Sequence, residues 1–213
     1  MSRGPGAEPV AIYLEIGRRR VFASALDWPG WSRSGKSEAA ALESLAAAAP
    51  RYARVARRAG LSLPEPLAFE TLDRVFGSGA TDFGVPDREA AADRERLQPS
   101  AARRLGTLLE AAWAQFDATL ATAPATLRKG PRGGGRDRDA VADHVQGAEA
   151  GYARAIGVAA EPPGDPAALR RAILAWLEGT AESKKWSRPY AARRIAWHVL
   201  DHAWEIEDRT ESA

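Results

Sequence analysis

The stretch RRIAWHVLDHAWEIEDR, Arg193–Arg209, decides how the C-terminal part of the chain is read. Ile195, Val199, Ala203 and Ile206 recur at helical spacing and predict an amphipathic helix. His198 and His202 stand four residues apart within or beside that stripe, so a helix stacks both imidazoles on one face, one turn above the other. The chain has three histidines. The third, His144, lies in AVADHVQGAEAGYARAIG, where Val141, Val145, Ala148, Tyr152 and Ile156 predict another buried stripe that His144 borders. An inward-pointing imidazole without a partner is costly. Two arrangements satisfy it: a shared metal ion, or a carboxylate on each ring, for which Asp201, Glu205, Glu207 and Asp208 are near enough along the helix. An i, i+4 pair joined by a third histidine on another helix favours the metal. Imidazole suits zinc, nickel, copper or iron, and three protein ligands leave positions open for water or substrate.

Outward from this helix the pattern stays helical. Pro99 opens a segment with Leu105, Leu108, Leu109, Ala112, Trp113, Phe116 and Leu120 on one face. Asp139 is placed to cap the His144 helix. Asp165-Pro166 opens a third helix carrying Leu169, Ile173, Trp176 and Leu177, and Pro189 opens the fourth. Four such helices predict a four-helix bundle, an architecture that builds metal sites from side chains on facing helices. Before the His144 helix runs a loop, Leu127–Asp137, rich in glycine and in the cations Arg128, Lys129, Arg132 and Arg136. It matches neither the Walker A pattern nor G-x-G-x-x-G, so no nucleotide site follows. Its composition favours a solvated loop, while its position about one and a half turns before His144 suits the holding of an anionic cofactor or substrate group. Asp201 and Glu205 are candidates for supporting the histidines from the same helix, Asp201 by orienting a ring, and Glu205 is alternatively a general base or a solvated charge.

The N-terminal part has a different period. Val10, Ile12, Leu14 and Ile16 alternate as in a half-buried strand, Gly17–Arg19 turns, and Arg20–Leu26 returns as a hairpin partner. Asp27-Trp28-Pro29-Gly30 is a turn, a short strand spans Trp31–Ser34, and Ser37 caps a helix with Leu42, Leu45, Ala49, Tyr52 and Val55 inward. Pro50 predicts a kink or break in it. Leu67–Val75 is a last strand, and Arg54, Arg57 and Arg58 read as a solvated helix face. GSGATDFGVPD, after Val75, marks a boundary with Phe76, Phe83 and Val85 as tethering points. The expected class is α+β, with an α/β domain over 1–76, a linker over 77–95 and the helices over 96–213.

Composition sets further bounds. A formal charge of +2 gives no nucleic-acid signature, and the absence of Cys excludes disulfides, thiolate metal sites and a cysteine nucleophile. No signal-peptide h-region or spanning apolar window is evident, so a cytoplasmic protein without membrane contact is expected, and the Ala, Arg and Gly usage suggests a GC-rich bacterial genome.

Two resemblances extend this reading. Residues 8–75, through ALDWPGWSRSGKSEAAALESLAAAAPRYA and the following LPEP and strand, resemble the HicB-like fold of antitoxins, with Asp27, Pro29, Gly30, Gly35, Ser37, Glu38 and Leu45 in the pattern's places. No DNA-binding segment follows Val75, so the resemblance implies a protein partner rather than an operator. The plainer reading is a module that packs on its neighbour or pairs as a homodimer. Residues 96–209 resemble the DinB/YfiT-like superfamily of four-helix-bundle metalloproteins, which carries one histidine in its second helix and H-x-x-x-H in its last. His144, His198 and His202 match those three positions. This resemblance implies a divalent metal, zinc or nickel, and an S-transferase or isomerase acting on a small-molecule substrate with a low-molecular-weight thiol such as mycothiol. The metal would present the thiol sulfur as thiolate, a nucleophile that a chain without Cys must borrow. The alternative is a non-catalytic regulatory protein, whose HicB-like part binds a protein partner and whose metal is structural.

Overall fold

Alternating apolar residues make Val10–Ile16 strand β1, which pairs antiparallel with β2 (Val21–Ala25), itself antiparallel to β3 (Ser32–Gly35). Strand β4 (Phe69–Phe76) adds in parallel to the other edge of β1, giving the order β3-β2-β1-β4. A parallel neighbour requires a crossover, supplied by α1 (Glu38–Ala47) and α2 (Ala49–Arg58). Ser37 caps α1 by accepting from the Ala40 N–H at 3.2 Å. At Pro50 the helix breaks rather than kinks: α1 ends at Ala47, and the proline sits in the first turn of α2, where its missing N–H costs nothing. The computed structural model describes residues 8–130, 134–181, 183 and 185–210.

The Asp27–Gly30 turn is a docking element. The Tyr52 hydroxyl donates to the Pro29 carbonyl at 2.8 Å, and Trp31 stacks on Tyr52 while its indole N–H donates to the Leu45 carbonyl at 2.9 Å. Gly30 has φ of +89°, and a Cβ there would meet Leu200 Cδ1 at 2.6 Å. Only glycine permits both the conformation and this approach to the C-terminal helix.

The segment 77–95 is more ordered than a linker. It holds a short helix, α3 (Gly79–Phe83), and a 3-10 turn over Ala91–Arg94. Two of the expected apolar tethers, Phe76 and Phe83, are 92% and 86% exposed, while Val85 is half-buried and Ala90 packs with Tyr13 and Leu26. Polar groups anchor the segment as well. Glu15, fully buried on β1, accepts from the Thr81 hydroxyl and from the backbone N–H groups of Asp87 (2.9 Å) and Arg88 (3.0 Å). A buried carboxylate needs such donors, and a loop has unpaired N–H groups to offer. Asp93, also buried, forms an ion pair with the buried Arg193.

Beyond Pro99 come α4 (Pro99–Thr122), α5 (Arg138–Ile156), α6 (Pro166–Glu178) and α7 (Arg188–Thr210). Helices α4 and α5 each pack on both α6 and α7, so the four close a ring. One apolar core runs from Ile12, Leu45 and Tyr52 in the sheet region to Leu108, Ile195 and Val199 in the helices, so the regions 1–76 and 96–213 share it. Arg54, Arg57 and Arg58 are exposed as expected, yet the arginines of α2 also reinforce that junction. Arg51 and Arg54 each donate to Glu207 at 2.8 Å, and Arg58 donates to Gln115 at 3.0 Å. Two helix details also differ from expectation. Asp137, not Asp139, stands at the N-cap of α5, with its carboxylate accepting from the Leu127 N–H at 3.1 Å, while Asp139 pairs with Arg138 at 2.7 Å. The buried face of α5 uses Glu149 and Ala153 where Ala148 and Tyr152 were expected, because Glu149 finds donors in the Trp113 indole and in Arg170 (3.4 Å). Among the described residues, no helix is long and apolar enough to cross a membrane.

Candidate metal centre

Helix α7 is buried against α4, α5 and the Gly30 turn, which fixes its rotation. His198 and His202 thereby meet His144 on α5. Their ring centroids lie 4.6–5.1 Å apart, and one nitrogen from each ring lies within 4.8 Å of the others. The Nε2 atoms of His198 and His144 are 3.3 Å apart. Two nitrogens at about 2.0–2.1 Å from one tetrahedral ion stand about 3.3–3.4 Å from each other, so this pair fits a shared zinc-sized cation.

The protonation states suit the same role. Burial pushes His198 down to about 3, assisted by the neighbouring His202 and Arg194, and burial together with His202 and Arg136 lowers His144. Both rings are therefore held neutral, the form in which imidazole is a ligand. Nδ1 of His202 lies 2.8 Å from Glu205 Oε2. The hydrogen bond from His202 keeps the Glu205 carboxyl below its ordinary range. An anionic acceptor assigns the His202 proton to Nδ1 and leaves Nε2 free for a ligand. Nδ1 of His198 is buried with no partner among the described residues, so carboxylate support reaches the cluster through His202.

The other sequence candidates separate into distinct roles. Glu205 is engaged at both oxygens, by His202 and by Arg209 Nη1 at 2.9 Å, which suits positioning rather than proton abstraction. Asp201 bonds no histidine. It pairs at 3.1 Å with Arg33, a β3 residue whose guanidinium is pushed down to about 10 by burial and lies 3.9 Å over Trp204. In the loop, Arg128 donates to the Asp208 carbonyl and Lys129 sits 3.7 Å from Asp137, so both fix the loop itself. Arg136 is exposed, and its charge reaches His144 and His198. Arg132 lies outside the described residues.

Arg209 was not singled out from sequence, yet it ties the loop to the histidines. Its guanidinium donates to the carbonyls of Arg128 and Arg136, both at 2.7 Å, as well as to Glu205. The available signal was spacing, since Arg209 follows Glu205 by four residues. Comparison with protein-family models, curated proteins and solved structures found no match to this chain.

Proposed function

We propose that His144, His198 and His202 hold a divalent transition metal, zinc or nickel, and that the protein is a DinB-like metal-dependent enzyme acting on a small molecule with a low-molecular-weight thiol. The single observation behind this reading is the convergence of three imidazoles from two helices, one of them oriented by a carboxylate. A ring of four helices around such a cluster agrees with a DinB-like bundle, and the turn that docks through Pro29 and Gly30 agrees with a HicB-like N-terminal module. When bound, the metal would supply Lewis acidity and hold a thiol sulfur as thiolate. The chain's own part is then defined. His198 and His144 stay neutral because they are desolvated, Glu205 fixes the His202 ring, and Arg209 holds the basic loop at the site's edge, bringing the charge of Arg136 near. Thiol-dependent consumption of an electrophile such as 1-chloro-2,4-dinitrobenzene by zinc- or nickel-loaded protein tests the reading. Loss of that activity in His198→Ala is expected, and its survival there would remove the enzymatic role.

A second reading draws on the exposed Phe76 and Phe83 at one end of the sheet region, which suit contact with a protein partner. A partner retained by the full chain and lost by Phe76→Ser would favour it.

A further inference from the structure

Arg194 lies one turn before His198, on the face of α7 that also carries His202. Its guanidinium carbon sits 5.0 Å from the centroid of the Tyr152 ring and 4.9 Å from that of Trp197. Tyr152 in turn meets His198 edge-on, with centroids 5.6 Å apart. The cation is thus held between two aromatic faces beside the histidine cluster. Its electrostatic position agrees, because its charge is among the influences that lower His198.

Among the described residues, Arg194 stands beside the histidines without a counter-ion. Arg33, Arg51, Arg170, Arg193 and Arg209 each pair with a carboxylate, whereas no acceptor bonds Arg194 among the described residues. Its Nη1 is buried without a hydrogen-bond partner. A guanidinium N–H in that state is expensive unless an acceptor arrives. Among the described residues, the packing leaves this charge in place without an acceptor.

We propose that Arg194 binds a carboxylate of the small molecule that enters the histidine site, so that the substrate class is a carboxylate-bearing anion. This rests on the metal-site reading given above. The spacing fixes the ligand's length, because residues four apart on a helix stand roughly 6 Å apart. The carboxylate therefore lies about one helical turn from the group presented to the histidines. The fork of a guanidinium suits carboxylate and phosphate alike in geometry, and it is the single positive charge of Arg194 that favours one carboxylate over a phosphate dianion. Tyr152, Trp197 and Trp186, whose ring lies 5.5 Å from that of Tyr152, give the intervening carbon chain apolar walls.

The test is calorimetric titration of zinc-loaded, full-length protein with succinate and glutarate, and with succinamide as the neutral counterpart, in wild type, Arg194→Gln and Arg194→Lys. At least one dicarboxylate is expected to bind wild type at least tenfold more tightly than succinamide. Arg194→Gln should lose that preference and weaken dicarboxylate binding at least tenfold while retaining wild-type zinc content. Arg194→Lys keeps the charge and the packing without the fork, and should weaken binding severalfold, which serves if the glutamine variant does not fold. Equal dicarboxylate binding by wild type and both variants overturns the proposal, as does a zinc-loaded wild type that binds none of them or does not distinguish succinate from succinamide. A wild type that takes up no zinc, yet binds succinate through Arg194, sinks the metal reading and leaves the carboxylate site standing.

Discussion

Removing the Glu205 carboxylate should weaken metal binding without unfolding the protein. Glu205 Oε2 lies 2.8 Å from His202 Nδ1, and Oε1 accepts from Arg209 at 2.9 Å, so the side chain sets both the ring's orientation and its proton position. Loss of a carboxylate that orients a metal-ligating histidine costs roughly 10–100-fold in affinity. The His202 side chain is 15% exposed, and water can replace part of the lost hydrogen bond, which places Glu205→Ala toward the lower end, at about 10–30-fold. That corresponds to about 1.4–2 kcal/mol. Glu205→Gln keeps an acceptor for the Nδ1 proton and gives up the charge, so its loss should be under about tenfold. Asp201→Asn is the matched comparison. Asp201 serves Arg33 and bonds no histidine, and its loss should leave zinc affinity unchanged. Competition with a zinc chelator of known affinity, at fixed pH, gives all three values. Zinc affinity in Glu205→Ala within twofold of wild type, or an equal loss in Asp201→Asn, would refute the assignment of Glu205 as the group that orients His202.

Three further outcomes follow from the geometry. Gly30→Ala combines a φ of +89° with a Cβ 2.6 Å from Leu200 Cδ1, and should cost about 2–3 kcal/mol in urea denaturation; a cost below 0.5 kcal/mol would mean that the turn does not hold α7. Arg209→Ala removes the donors to the carbonyls of Arg128 and Arg136, each worth about 1 kcal/mol, and should speed tryptic cleavage in the 127–137 loop about tenfold or more; unchanged cleavage would contradict the tie. Burial raises the Glu149 carboxyl above its ordinary value, so the native state binds its proton more readily than the unfolded chain. Its contribution therefore makes wild type less stable as pH rises from about 4.5 through the raised value. Glu149→Gln lacks that slope, so the stability of the variant relative to wild type should increase from pH 4.5 to 7.5, and a decrease would reverse the sign argued here.

Elements with strong local periodicity were readable without coordinates. The alternation in Val10–Ile16, the proline break at Pro50 and the apolar faces of the long helices each depend on neighbours within a few residues. The grouping of His144 with His198 and His202 was readable because only three histidines exist and two share a helix face. What escaped depends on partners distant in sequence. Glu15 anchors residues 81–88, Asp201 is taken by Arg33, and α2 arginines reach Glu207 on α7. Nothing local to Asp201 distinguishes it from Glu205, since both lie near a histidine along the chain, and the choice is made by which face of α7 meets β3. Phe76 and Phe83 misled for a related reason: an apolar side chain beside a turn suggests anchoring, while the segment found its anchor in buried carboxylates.

We propose that three histidines on two helices form one metal site. Elemental mass spectrometry of tag-free protein, reconstituted with zinc or nickel and freed of excess ion, tests it directly with wild type beside His144→Ala. Close to one ion per chain is expected in wild type and loss of most of it in the variant, because His144 is the one histidine that α5 brings to the cluster. Wild type that retains no ion, or a variant that retains as much as wild type, would contradict it.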